Sequence, residues 1–339
     1  FGMFLSGGVD SSALLAMMAR LNDTAVTAYS LRFDSHTVAD ETEKAHLIAR
    51  KTGAEFIEIT YDRDMFWQQA GLAALACDEP AADYAILPTL CLAERASQDV
   101  KVVLSGEGGD EFFAGYGRYR ASRRLVGAKP LMRPGPALKA GILRQDIATS
   151  LRERQHAPSI AYAPPSFANK LLRPSSALRQ LQRQDSETWL PDKLLVKLDR
   201  CLMRCGVEGR TPFIDKITSS YGYHLPASAK IRGRQGKYLL KQWLETYLPE
   251  AEPFQRKQGF SVPVGDWIAE KADIIAPLLA RQPLIESLVS TANLHQVLAS
   301  AGHNTAMLSW RLLFMGLWHQ IHYCGVPADQ PIDAILAPY

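Results

Sequence analysis

The sequence predicts an α/β fold in which a parallel sheet is flanked by helices and followed by a mainly helical C-terminal part. Three observations carry this expectation. Strand and helix patterns alternate through the first third of the chain, two glycine-rich runs each follow a short apolar strand, and later segments are mostly amphipathic and helix-like.

The elements follow in order. Gly2 to Leu5 is apolar enough for a buried parallel strand, and Ser11 to Leu21 carries helical spacing, with Asp10, Ser11 and Ser12 placed to cap its start. A strand over Ala25 to Phe33, a helix over Asp40 to Thr52 and a strand over Glu55 to Thr60 continue the rhythm. Asp62 to Ala76 and Ile86 to Ser97 read as helices, and Val100 to Leu104 as a β-branched strand. Beyond Tyr119, prolines at 130, 134, 136, 158, 164, 165 and 174 interrupt basic helix-like pieces, which predicts an irregular or inserted segment. Lys193 to Cys205 and Trp310 to Tyr323 return to helical spacing. The expected division is 1–119 for the α/β core, 120–188 for a variable, basic, proline-rich insertion and 189–339 for the helical remainder.

The run Ser6-Gly7-Gly8-Val9-Asp10-Ser11-Ser12 joins the first strand to the first helix, a place suited to gripping an anion. Glycines let backbone N–H groups turn toward a ligand, the helix start adds unpaired donors and the positive end of its dipole, and serine hydroxyls add more. Asp10 beside such a site would repel phosphate unless a divalent cation lay between them, which points to a metal–nucleotide complex. The GxxxxGK(S/T) pattern of the common NTPases is missing. The run resembles instead the pyrophosphate-binding loop of ATP pyrophosphatases, enzymes that split ATP to AMP and pyrophosphate to activate a carboxylate or a carbonyl-like oxygen.

Composition bounds the alternatives. With 339 residues, the chain is long enough for one large domain or two closely joined ones. No run of about 18 uninterrupted apolar residues argues for a membrane span, and no secretory signal is legible. Phe1 stands almost inside the first strand without an initiator methionine, so a piece of a longer protein is expected. The 5 cysteines, Cys77, Cys91, Cys201, Cys205 and Cys324, have neither a disulfide framework nor zinc spacing, and a reducing cytoplasm fits them. His319 and His322 sit in an aromatic-rich helical stretch, where packing explains them more simply than a metal does. Between Arg118 and Arg183 stand 14 Lys or Arg against 2 acids, Asp146 and Glu153, which raises a polyanion partner. That region lacks an RNA-binding motif and aromatic interleaving, so a solvated face is expected and no nucleic acid.

The second glycine-rich run, Ser105-Gly106-Glu107-Gly108-Gly109-Asp110-Glu111, follows its strand directly, and the carboxylates it crowds together repel without cations or donors. In doubly wound sheets, ligands sit at the carboxyl ends of strands, so two such loops would face one pocket. Together the two runs resemble the synthetase domain of glutamine-dependent asparagine synthetases, an ATP pyrophosphatase fold of the adenine nucleotide alpha-hydrolase type. Three later stretches extend the match: Leu190 to Arg200, Gly206 to Asp215, and Arg256-Lys257-Gln258-Gly259-Phe260-Ser261-Val262-Pro263. The resemblance covers nearly the whole chain and is weakest from Arg120 to Thr188.

The resemblance implies a two-step reaction. ATP activates the side-chain carboxylate of aspartate as an acyl-adenylate, and ammonia displaces AMP to give asparagine. Ser6, Gly7, Gly8, Ser11 and Ser12 would hold pyrophosphate, and Asp10 and Asp110 would hold Mg2+. Leu5, Leu31, Ser105 and Gly106 match the nucleotide pocket. Glu107 matches a carboxylate that helps form or turn over the acyl-adenylate, and Lys257 matches a lysine that stabilises negative charge during adenylation. Lys237 is a candidate second pyrophosphate ligand, with Lys241 close by. Asp199, Arg200, Glu208 and Arg210 read as a buried charge network flooring the site, with direct contact to aspartate or the ammonia path as the alternative, and Glu111 is a further substrate or support residue. Asp78, Glu79, Pro80 and Asp83 match without an assigned role.

The family carries an N-terminal glutaminase domain with a leading cysteine, which none of the five cysteines provides, and that domain is expected in a full-length protein. A homodimer is allowed for. The competing readings are an amidotransferase acting on another carboxylate, an RNA-modifying ATP pyrophosphatase and a non-catalytic nucleotide-sensing domain. Retention of Asp10, Glu107, Asp110 and Lys257 together argues against the last.

Overall fold

The computed structural model describes residues 1–34, 42–80, 83–122, 141–156, 177–255, 262–300 and 303–337. These fall into two compact units, one drawn from Phe1–Asp62, Ala85–Pro130 and Ser176–Val262, the other from Arg63–Tyr84, Leu131–Ser175 and Pro263–Tyr339.

The first unit is built on a parallel sheet of 5 strands in the order β3-β2-β1-β4-β5. Its strands are β1 (Gly2–Phe4), β2 (Thr27–Phe33), β3 (Glu55–Tyr61), β4 (Val102–Leu104) and β5 (Glu208–Arg210). Pleating sends successive side chains to opposite faces. Met3 and its register partner Ala28 join one core with Leu14, Leu15, Ile48, Leu240 and Leu244, whereas Tyr29 joins another with Ala93, Ala96, Leu198 and Leu202. Helices α1 (Val9–Leu21), α2 (Thr42–Thr52), α4 (Ile86–Ala96) and others therefore cover both faces, as an all-parallel sheet requires.

β1 pairs with β2 on one side and with β4 on the other. The chain runs outward from β1 to β3 and then returns to place β4 across β1, so the order reverses between β1 and β4. The loops after these two strands thus share the crevice where doubly wound sheets hold their ligands.

One local expectation is corrected, and one strand is new. Helix α1 begins at Val9 with Gly8 as its N-cap, so Asp10, Ser11 and Ser12 lie inside the first turn rather than before it. The Ser11 and Ser12 hydroxyls both donate to the Gly8 carbonyl, which turns them inward. β5 was not legible as a strand, because Glu208-Gly209-Arg210 has no β-branched or aromatic residue. Its ladder to β4 supplies the order: Glu208 N–H donates to Lys101 O at 2.8 Å, and Ser105 N–H to Arg210 O at 2.9 Å. The expected helix after Trp189 is present as one wide turn of π-helix, Leu190–Leu195, running into α9 (Val196–Arg204).

The remaining helices of this unit are α5 (Gly109–Phe113), α6 (Gly117–Ser122), α8 (Ala177–Glu187), α10 (Lys216–His224), α11 (Ala227–Lys230) and α12 (Tyr238–Tyr247).

In the second unit, α3 (Arg63–Ala76) packs against α17 (His303–His322), while α7 (Gln145–His156) and the short helices α13 to α16, between Val264 and Leu298, complete the run before α18 (Ile332–Leu336). Phe66, Trp267, Trp310 and Phe314 pack as tilted rings in its aromatic core. His322 Nε2 bonds to Ala74 O at 3.0 Å, and His319 stacks on the exposed ring of Tyr323. Among the described residues, no helix is long and apolar enough to cross a membrane, and no group of three His, Cys, Asp or Glu could hold a metal by itself. Most of the basic stretch between Arg118 and Arg183, including its seven prolines, lies outside the described residues.

Candidate active site

Both glycine-rich loops emerge from the carboxyl edge of the sheet. Leu5 N–H extends the β1–β2 ladder by donating to Tyr29 O at 2.8 Å, after which Gly7 turns the chain with a left-handed φ of 69°. Ser6 and Ser11 hydroxyls bond to one another at 3.1 Å, and Ser12 is fully buried. The serines thus brace the loop from within, leaving backbone N–H groups at the start of a 13-residue helix as the donors for an anion. Leu31 lies on β2 two residues past Tyr29, the register partner of Phe4, and so reaches the same edge.

The second loop meets the first. A Cβ placed on Gly106 would lie 3.0 Å from Asp10 Cβ, and one on Gly109 would overlap the Asp10 carboxylate. Gly109 begins the five-residue helix α5, and Asp110 follows it in the first turn.

Lys237 completes the centre. Its ammonium pairs with Asp10 Oδ2 and, at 2.7 Å, with Asp110 Oδ1, while its side chain is only 7% exposed. Burial alone would pull this ammonium down, but the two carboxylates outweigh it and hold its pKa above the ordinary lysine value. Lys237 sits in the left-handed region with φ 53°, a conformation that costs energy for a side-chain-bearing residue and recurs at functional sites. Its N–H donates to Phe113 O at 3.1 Å, fixing it against the second loop. Gly115 leaves the necessary space, since a Cβ there would overlap both the Asp110 carboxylate and Lys237 Cε. Of the two lysines considered from sequence, Lys241 turns away and donates to Gln235 Oε1 at 2.7 Å.

Glu107 is partly exposed, and Lys197 Nζ approaches its Oε1 at 3.5 Å. Glu111 is buried, with Tyr116 donating to its Oε1 at 2.6 Å. Desolvation pushes its pKa up to about 7, and the Tyr116 hydrogen bond opposes that rise.

The expected buried charge network is corrected. Asp199 and Arg200 pair with each other at 3.1 Å on side chains 58% and 42% exposed, and Glu208 pairs with Arg210 on the edge strand, both likewise open to solvent. Helix geometry gives the reason: α9 buries Lys197, Leu198, Cys201 and Leu202 on one face, which turns residues 199 and 200 outward. Lys197, not this quartet, is the buried charge that reaches the loops. Sequence reasoning passed over it because it stands in the apolar run Leu-Leu-Val-Lys-Leu; a lysine on the apolar face of a helix was the available signal. Lys257 and its neighbours 256–261 lie outside the described residues.

Comparison with known proteins identifies the family. The family model described as asparagine synthase matches residues 1–320. A putative asparagine synthetase [glutamine-hydrolyzing] of Mycobacterium tuberculosis is 30% identical over 94% of the chain and 54% of its own length. Asparagine synthetase [glutamine-hydrolyzing] 1 of Bacillus subtilis is 26% identical over 95% of the chain and 56% of its own length. Amidase chyE of Penicillium rubens is 27% identical over 71% of the chain and 35% of its own length. The chain spans about half the length of the curated asparagine synthetases it matches.

Proposed function

Because the chain belongs to the asparagine synthase family, we propose that it forms an amide at the expense of ATP, joining aspartate and ammonia to give asparagine, AMP and pyrophosphate. In this reading ammonia derives from glutamine, the hydrolysis named for the relatives, through a glutaminase domain. The observation that carries the reading is the meeting of Asp10, Asp110 and Lys237 where the two strand-end loops share the switch point.

An oxygen of the aspartate carboxylate attacks the α-phosphorus of ATP, the bond to the β-phosphate oxygen breaks, and pyrophosphate leaves. Backbone N–H groups of Gly7, Gly8 and the α1 start receive the pyrophosphate, and Lys237 offers its ammonium to the same charge. Two carboxylates from facing loops, with glycine at 109 and 115 leaving room beside them, form a donor set that suits Mg2+, which takes one or two carboxylates and completes its shell with substrate phosphates. Asp10 and Asp110 would hold it; when bound it would neutralise charge on the leaving group. In the second step the ammonia nitrogen attacks the acyl carbon of β-aspartyl-AMP, AMP leaves, and the surplus proton passes to a base. We assign that role to Glu107, and the approach of Lys197 Nζ to its Oε1 at 3.5 Å supports the assignment. Lys257 is assigned charge stabilisation during adenylation, the role that the family resemblance implies.

The match to an amidase favours a second reading in which the same activation serves another carboxylate. The test of both is pyrophosphate release from Mg–ATP with ammonium as nitrogen source. Release that requires aspartate and yields asparagine supports the first reading, and release driven only by a different carboxylic acid supports the second.

A further inference from the structure

We propose that Gln182, held by Lys230, is the positioning residue that sets the geometry of Asp110 and Lys237; the assignment rests on the function proposed above. The starting point is helix α5, which has 5 residues and carries Asp110 in its first turn. A helix this short has no stability of its own, so its direction is imposed from outside. Its closing carbonyls have no partner within the helix and must be satisfied elsewhere.

Each of the four carbonyls from 110 to 113 has an identifiable donor. Gly115 N–H donates to Asp110 O at 2.9 Å, and Lys237 N–H to Phe113 O at 3.1 Å. The two between them are taken by one side chain: Gln182 Nε2 donates to Glu111 O at 2.5 Å and to Phe112 O at 3.0 Å. The helix that presents Asp110 therefore ends on the Gln182 amide and on the backbone of the very lysine that pairs with Asp110.

The orientation of that amide is fixed chemically. Lys230 Nζ lies 2.8 Å from Gln182 Oε1 and 2.7 Å from Tyr223 O. An ammonium only donates, so the amide oxygen must face Lys230 and the NH2 must face the two carbonyls. Gln182 and Lys230 are each 1% exposed, so water does not replace either partner. Removing the amide would leave two carbonyls of α5 unsatisfied and free the helix to rotate, carrying Asp110 away from Lys237 and Asp10.

The test measures magnesium pyrophosphate binding by calorimetry on the full chain, with thermal melting as the check of folding. Gln182→Met is expected to weaken pyrophosphate binding about tenfold, the usual scale for loss of a partner behind a ligand-binding group. In an Asp110→Ala background the same change is expected to cost far less, because the group that α5 presents is already gone. Lys230→Met, which leaves Gln182 present but unoriented, is expected to move binding in the same direction and keeps the question open to test if Gln182→Met does not fold. A lowered melting temperature with unchanged pyrophosphate affinity, or an equal loss in both backgrounds, would overturn the assignment. Wild-type chain that does not bind magnesium pyrophosphate at all would instead overturn the underlying functional reading and the assignment with it.

Discussion

Lys237 Nζ lies 2.7 Å from Asp110 Oδ1, tying the start of α12 to the loop that follows β4. The same ammonium reaches Asp10 in the first turn of α1, so one buried cation holds together the two segments expected to grip the triphosphate. Its positive charge neutralises the two carboxylates proposed to hold Mg2+.

Lys237→Met follows from this arrangement. Pyrophosphate release should fall at least about a hundredfold as a charge-stabilising group is lost. Nucleotide-free binding of Mn2+, followed by electron paramagnetic resonance, should tighten because the competing ammonium is gone. Unfolding free energy should drop by about 3 kcal/mol, the scale for stranding buried carboxylates.

Gly115→Ala is expected to damage the site through space alone. The added methyl would overlap the Asp110 carboxylate and Lys237 Cε, and pyrophosphate release should fall by at least about tenfold, as reacting groups are displaced by a fraction of an ångström. Gly53→Ala is the control: its φ is 71° with nothing within 4 Å of the added methyl, so it should lose about 1 kcal/mol of stability and no activity.

Lys197→Met separates the two chemical steps. Lys197 pairs with Glu107, the base proposed for the second step, so amide formation should suffer more than aspartate-dependent exchange of labelled pyrophosphate into ATP. Equal loss in both assays would place Lys197 in the first step instead.

Lys230 gives a pH signature. Burial holds its pKa down at about 8, against an ordinary lysine value of 10.5 in the unfolded chain. The folded state therefore binds fewer protons between these values, and stability rises with pH across that window. This contribution is fully present above pH 10.5 and is lost as pH falls through about 8. Wild type should gain up to about 3 kcal/mol relative to Lys230→Met between those limits, measured by denaturant unfolding.

Much of this was legible in the chain. The two glycine-rich runs lie at strand ends on either side of the switch point, because an apolar strand, a glycine turn and a helix start are all local signals. Lys237 was legible as a candidate, but only tertiary packing distinguishes it from Lys241. β5 was hidden because its order comes from pairing with β4 rather than from its own residues. Asp199, Arg200, Glu208 and Arg210 were misplaced for a related reason: their sequence neighbourhood is striking in charge, yet face geometry and an edge position turn them to solvent. Gln182 had no local signal at all, since its importance lies in carbonyls 70 positions away in sequence.

The most direct test of the acyl-adenylate account is the fate of a heavy oxygen label in the side-chain carboxylate of aspartate, followed by mass spectrometry during ammonia-dependent turnover. The account predicts one labelled oxygen in the AMP formed, because the attacking carboxylate oxygen leaves with the phosphate when ammonia displaces it. Unlabelled AMP, or label found only in inorganic phosphate beside ADP, would contradict it.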